Sequence, residues 1–389
     1  MEEWKTVKLG DYILEYTEKT TVNNQYPILT SSRKGLFLQS DYYKKQIASE
    51  NNIGYNIVPY GYFTYRHMSD DEIFKFNINT IVENGIVSTL YPVFTTKNLI
   101  DKWLLYTLNY GSEFSKYARM QKQGGSRTYM YLEKLKKIKL TFPPIKEQEK
   151  IAEILSTQDK VIELKQKLID RKKQQKKWLM QNLLTGRIRL KGFEGEWKKI
   201  SFNIICDKIS DGIHGTPKYD LNGDYYFING NNLRNGKIII TESTKRVNES
   251  EYEKYKKTLC NRTILLSING TIGSTAIYKN EPILLGKSSA YLNIKNKYDF
   301  NFIFHAINSN YIQSHFIKKL TGSTIKNLSI DTIKNTQIFI PPIEEQTAIA
   351  EILSAQDREI ELLEKELEQE KLKKKALMQM LLTGKVRVI

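Results

Sequence analysis

The 389-residue chain is short of the residues that hold small or metal-built folds together: it has two cysteines, Cys206 and Cys260, and four histidines. Two isolated thiols make no disulfide framework and fit a reducing compartment, so a cytoplasmic location is expected. His67, His214, His305 and His315 show no zinc-ligand spacing, and no metal site is expected. No apolar run reaches the roughly 18 residues that a membrane helix needs. The start, MEEWKTVKLGDY, lacks the basic and apolar regions of a signal peptide, so neither membrane insertion nor secretion by that route is expected. Catalytic signatures are scarce too. Gly286-Lys287-Ser288 has Glu281 where a phosphate-binding loop needs its first glycine. The two double prolines follow Phe142 and Ile340 rather than the asparagine used by amino-methyltransferases. No glycine-rich dinucleotide fingerprint follows a strand. A catalyst is not expected, nor a cofactor held by this chain.

Positive charge is in excess. A formal charge of +17 and a pI near 9.4 attract polyanions, of which nucleic acid is the commonest in a cytoplasm. With 40% hydrophobic and 11% aromatic residues the chain is globular, and its length suits two to three domains.

One segment occurs twice. PPIKEQEKIAEILSTQD begins at Pro143 and PPIEEQTAIAEILSAQD at Pro341, and well over half of the ungapped positions from Pro143 to Arg189 are identical in the second copy. The copies end alike, in LMQNLLTGRIR and LMQMLLTGKVR. A repeat this widely spaced indicates duplication of a whole domain with its helix, not a solenoid. Double proline opens a helix and Gly186 or Gly384 ends one. About 38 residues at 1.5 Å rise make a rod of roughly 57 Å.

Apolar residues in the rod follow a heptad. Leu155, Ile162, Ile169 and Leu183 match Leu353, Ile360, Leu367 and Leu381, and a second column holds Ile151 and Leu179 against Ile349, Leu363 and Leu377. Gln158 and Gln356 interrupt the seam at equivalent places. The middle of the first helix is basic (Lys165, Lys167, Arg171, Lys172, Lys173, Lys176, Lys177) and that of the second acidic (Glu359, Glu361, Glu364, Glu366, Glu368, Glu370). Complementary charge favours pairing the helices with each other over pairing either with its own copy; the plainer alternative is two solvated faces. An antiparallel pair lets the intervening domain leave and return at one end of the rod.

The expected fold class is therefore α+β: two globular heads, 1–142 and 190–340, separated by long helices, 143–189 and 341–389, that form an intramolecular antiparallel coiled coil with pseudo-twofold symmetry. Short frames mark both heads, with Glu3-Trp4-Lys5 and Glu196-Trp197-Lys198 at their starts and GGSR and GSTIK near their ends. IGYNIV, GIVSTLYPVF, GKIIIT and RTILLSI read as strands; KNLIDKWLLYTL and FIFHAINSNYIQSHF read as helices. Between the frames the heads differ. Their polar loop clusters use residue types that hold phosphates and read base edges. Arg33, Lys34, Tyr65, Arg66, Gln123, Ser126 and Arg127 are the candidates in the first head. His214, Lys218, Tyr219, Asn231, Arg234, Lys287, Ser288 and Lys326 are those in the second. Any one cluster alone is an ordinary turn; their accumulation in a basic head is the signal. Major-groove half-sites lie roughly 34 Å apart, a span of the same order as the rod.

PPIKEQEKIAEIL…LMQNLLTGR with PPIEEQTAIAEIL…LMQMLLTGK resembles the conserved regions of the specificity subunit of type I restriction–modification enzymes. DGIHGTPKY, NGTIGS and GIVSTLYPVF resemble segments of that family's target recognition domains. The resemblance covers essentially the whole chain. It implies a non-catalytic reader of double-stranded DNA, each head binding half of a bipartite site and the coiled coil setting the spacer. It further implies two methyltransferase subunits using S-adenosylmethionine, and restriction/translocase subunits using ATP and magnesium. A coiled-coil adaptor whose basic heads bind acidic proteins is the competing reading. Divergent heads inside repeated frames argue against it.

Overall fold

The computed structural model describes residues 3–43, 49–122, 127–321 and 326–388. The chain divides into two compact units, one formed by Met1–Gln166 with Lys365–Ile389 and the other by Lys167–Glu364. Each head thus forms a unit with the start of the helix that follows it and with part of the other long helix. The reason lies in the cores. In the first unit Trp103, Phe76, Phe94 and Phe142 pack in one cluster with Ile151, Leu155 and Leu381 of the helices. In the second, Phe202, Phe302 and Phe316 share a cluster with Leu183, Ile349 and Leu353.

The repeated segments are helices of equal length, Ile145–Leu183 and Ile343–Leu381. The double proline sits just outside each, and the first free amides return to it: Glu147 and Gln148 donate to the Pro144 carbonyl, Glu345 and Gln346 to that of Pro342. Past the far ends Gly186 and Gly384 both adopt a φ of 68°, a left-handed conformation that terminates a helix without a Cβ clash.

Within each unit the two helices run antiparallel, as their ion pairs require. In the first unit Lys165 meets Glu366 at 2.6 Å, Gln158 donates to Glu370 Oε2 at 2.7 Å and Lys374 pairs with Asp159. In the second, Lys172 meets Glu359 and Lys173 meets Glu364, both at 2.6 Å, and Lys176 pairs with Asp357. Of the heptad residues, Leu155, Ile169, Leu183, Leu353, Ile360, Leu367 and Leu381 are buried, and Ile162 is half-buried. The equivalent glutamines diverge. Gln158 is satisfied by Glu370, whereas Gln356 reaches Glu359 through its Nε2 and leaves its buried Oε1 without a hydrogen-bond partner. The positions opposite differ, since the repeat places Lys172 where the other copy has Glu370, the acceptor that Gln158 uses.

A clamp written identically in both units ties head to helices. Glu147, on the first turn of one helix, accepts from Trp4 Nε1 at 3.0 Å and from Arg387 Nε and Nη2 at 2.8 Å. Its counterpart Glu345 accepts from Trp197 Nε1 at 3.1 Å and from Arg189 Nε and Nη2 at 2.7 Å. Both carboxylates are buried. Burial alone raises a carboxyl's pKa; at Glu147 the bonds from Arg387, Trp4 and Val388 outweigh it and hold the group below its ordinary range. The next residue repeats the logic. Gln148 donates to Pro143 and accepts from the Ile100 amide, and Gln346 donates to Pro341 and accepts from the Asp299 amide, each at the start of a head helix.

The heads are mixed sheets and short helices. The first has a four-stranded antiparallel sheet in the order Ile13–Tyr16, Val93–Thr96, Phe63–Tyr65, Phe76–Ile78. GIVSTLYPVF supplies two strands rather than one: Asn84–Val87 pairs with Asn56–Pro59, while Val93–Thr96 joins the main sheet after a turn. The second head has a four-stranded sheet in the order Cys206–Asp211, Ser289–Ile294, Thr263–Ser267, Thr275–Ile277. GKIIIT forms only the short strand Lys237–Ile238, and FIFHAINSNYIQSHF two helices, Phe300–Ile307 and Asn310–Lys318.

Truncating the seam tests these packing claims: Leu155→Ala and Leu353→Ala should each cost about 2–5 kcal/mol in denaturant unfolding. Glu345→Ala should lower the melting temperature by several degrees while Glu153→Ala, on the exposed side of the first helix, leaves it almost unchanged. His305 gives a pH signature. It is buried in Phe300–Ile307 with Nε2 at 3.1 Å from Ser354 Oγ, and burial lowers its pKa to about 4. Between that value and the ordinary one of about 6.5 the unfolded chain binds more protons, so stability should rise with pH across the window. His305→Gln should flatten that rise in melting curves.

Candidate nucleic-acid interface

In the second head four loops that are far apart in sequence close on one polar cluster. Gly230 donates its amide to Ser288 Oγ at 2.9 Å, Ser288 Oγ donates to Asn229 Oδ1 at 2.8 Å, and Thr271 Oγ1 donates to the Gly230 carbonyl at 2.7 Å. Asn229 and Asn232 close a capping box around the single turn Gly230–Asn232. A Cβ at Gly230 would stand 2.2 Å from Ser267 Oγ and 3.0 Å from the Ser288 carbonyl, so glycine leaves room for the Ser267 side chain in this cluster. The fourth loop, DGIHGTPKY, joins through a parallel bridge between Ile213 and Gly286.

Beside this cluster lies a polar cleft of about 360 Å³ lined by Tyr219, Asn229, Asn231, Thr241 and Lys245, among others. Lys245 Nζ sits 4.2 Å from the Tyr219 ring centroid and Arg246 packs over Tyr226 at 4.7 Å. An aromatic face attracts a cation and fixes the direction in which it points. The cleft thus offers amides, hydroxyls and a cation, the donor set that suits phosphates and base edges.

The first head gathers charge differently. Arg33, at the tip of the hairpin Leu29–Ser32/Gly35–Leu38, forms a fork with Asp71, its Nη1 donating to Oδ2 at 2.8 Å. Arg127 Nε donates to Asp70 at 2.9 Å and Lys122 meets Glu72 at 2.6 Å. The fork with Arg33 holds Asp71 far below the usual carboxylate range. Nearby, His67 packs 4.8 Å from Tyr131, a half-exposed ring that stacks on Tyr129, and burial lowers the His67 pKa.

The candidates read from sequence separate accordingly. Arg33, Lys34, Arg66 and Arg127 are exposed, as are His214, Lys218, Tyr219, Asn231, Arg234, Lys287 and Lys326. Gln123 and Ser126 lie outside the described residues. Tyr65 requires correction: it has no solvent exposure and its hydroxyl donates to the Met130 carbonyl, so it is a core residue and offers no face to a base. Its strand explains the error, since Phe63–Tyr65 lies inside the four-stranded sheet with all three residues buried, so neither of its faces reaches solvent. Ser288 is half-buried and spends its hydroxyl on Asn229 and Gly230, which makes it a loop brace. Sequence reasoning missed Lys245 and Asn229 as neighbours of Tyr219, and the acidic run Asp70-Asp71-Glu72. That run carried a local signal, as a charge block inside a basic head, and Asn229 opens the polar stretch NGNNLRNG. Among the described residues no group of three or more His, Cys, Asp or Glu side chains is placed to hold a metal ion. Among the same residues no helix is long and apolar enough to cross a membrane.

The family model described as "Type I restriction modification DNA specificity domain" matches residues 1–173 and again 194–371. The chain belongs to this family. Its role is DNA sequence specificity within a type I restriction–modification enzyme. It is similar to the type I restriction enzyme MjaVIII specificity subunit of Methanocaldococcus jannaschii, with 28% identity across all of this chain and 94% of that one. A putative MjaX specificity subunit from the same organism is 27% identical, again over all of this chain and 94% of the relative. Among solved structures, the S subunit of a type I restriction–modification system from M. genitalium shares the fold at a TM-score of 0.57 with 14% identity, covering 97% of this chain and 96% of that chain. A second, from a study of assembly and conformational transition of the type I system, has a TM-score of 0.58 and 16% identity over 98% of both chains.

The two classes of loop residue predict different outcomes. Asn229→Ala and Ser288→Ala should each cost about 1–2 kcal/mol in urea unfolding, because they strand buried polar groups. Asn231→Ala and Arg234→Ala should stay within about 0.5 kcal/mol of the parent yet weaken DNA binding in a fluorescence-anisotropy titration.

Proposed function

We propose that each head reads one half of a bipartite DNA sequence and that the helix pair sets the number of unspecified base pairs between the halves. The observation that carries this reading is the repeated clamp. Glu147 with Trp4 and Arg387, and Glu345 with Trp197 and Arg189, hold two heads in equivalent ways. The loops those clamps support are unrelated in sequence and in contacts. Equivalent mounting with different loops fits two dissimilar half-sites served by one common framework.

This chain supplies recognition and holds no reacting group. Methyl transfer, with S-adenosylmethionine, is assigned to two methyltransferase subunits. Cleavage and translocation, with ATP and magnesium, are assigned to restriction subunits. The cytoplasm is the proposed location. Support comes from the charge of +17 and from family membership.

Genome-wide methylation mapping in the host would return the bipartite motif. Replacing 1–142 with the corresponding head of another family member should then alter one half-site only, and a change in both would contradict modular reading. Deleting one heptad from each long helix should shorten the spacer and leave both half-sites intact; an unchanged spacer would refute the ruler.

A further inference from the structure

The first head joins three cations from three separate segments to three consecutive acids. Arg33 comes from a hairpin tip, Lys122 from just past the helix Ser112–Met120, and Arg127 from the residue before the strand Thr128–Tyr129. Their partners are Asp71, Glu72 and Asp70 respectively.

The arrangement is built by the backbone. Thr128 pairs with Ser69 in antiparallel register, which brings Arg127 opposite Asp70. Asn77, itself buried, donates to Ser31 Oγ and to the Ser32 carbonyl and so anchors the hairpin that carries Arg33. Ser69 Oγ donates to Asp71 and to the Ile73 carbonyl, and Glu72 takes a φ of 65°. The side chains of Arg33 and Arg127 are about half exposed, at 58% and 49%. These side chains stand open to solvent, so each cation can exchange its acid for another anion, the forked Arg33–Asp71 pair least readily.

We infer that Asp70, Asp71 and Glu72 are specificity-determining residues of the first head: they occupy its cations in the DNA-free protein and yield them only to a backbone and base surface that fits. A cation already paired gives little to a phosphate in passing, so affinity for arbitrary DNA falls. A fitting half-site repays the exchange with several contacts at once. Net discrimination is then set by the acids as much as by the arginines. The inference rests on the DNA-reading role proposed above.

The test uses the full chain with its methyltransferase subunits and two duplexes, one carrying the mapped bipartite motif and one with both half-sites scrambled. In Asp70→Asn/Asp71→Asn/Glu72→Gln, affinity for the scrambled duplex should rise about tenfold or more. Its log–log salt slope should steepen by about 2 to 3, since each neutralised phosphate contributes about 0.9. Affinity for the motif should rise less, so the ratio of the two falls. The control Glu242→Gln/Glu249→Gln/Glu253→Gln makes the same charge change on exposed acids of the other head and should leave the ratio unaltered. Equal gains on both duplexes, or a control that matches the variant, overturn the inference while leaving the DNA-reading role standing. A parent complex that binds both duplexes alike overturns both. If the triple variant does not fold, Asp70→Asn alone should show the same direction with a slope change near 1; no change in slope overturns the inference.

Discussion

Everything else in the structure hangs on a carboxylate buried at the first turn of a long helix. Glu147 and Glu345 each draw an indole N–H from the start of a head and a guanidinium from the end of the other long helix. A buried charge is tolerated only when paired and hydrogen-bonded, so the three segments that meet it are obliged to stay together. That obligation fuses head, helix start and helix end into one unit. It also accounts for the repeated Trp of the head frames, the glutamate after the double proline and the arginine after the terminal glycine. A Cβ placed on Gly186 or Gly384 would stand 3.4 Å from the ring of Trp197 or Trp4, so each helix stop adjoins its clamp.

Because the clamp is duplicated and the loops are not, the chain separates mounting from recognition. The seam and the clamps use apolar side chains and paired charges with few alternatives. The loops of the heads use asparagine, serine, threonine and glycine, which tie one loop to another by side-chain and backbone hydrogen bonds. In the second head those bonds close a rigid cluster around Gly230; in the first, ion pairs on a turn do the arranging.

The repeat is not followed to the letter. Lys172 of the first helix corresponds to Glu370 of the second, whereas Lys167, Lys173, Lys176 and Lys177 correspond to lysines. Lys374 with Asp159 and Lys176 with Asp357 preserve the duplication, whereas Gln158 and Gln356 do not. Gln356 instead donates to Glu359 on its own helix, and its oxygen has no hydrogen-bond partner.

The helices, their seam and their charge complementarity were legible in the chain alone, since heptad spacing and capping residues are local and a long helix leaves little else for them to mean. The frames at the heads were visible as repeated words whose purpose was hidden: Trp4, Glu147 and Arg387 are joined by burial, which no local spacing encodes. Candidate readers were found by residue type and loop composition, which is why exposed Arg33, Asn231 and Arg234 were found together with Tyr65, a core ring. Only the tertiary structure told them apart, because exposure depends on which face of a sheet the rest of the chain covers. The meeting of loops at Gly230 and of three cations on Asp70-Asp71-Glu72 was decided there too, by strand register that pairs residues far apart in the chain.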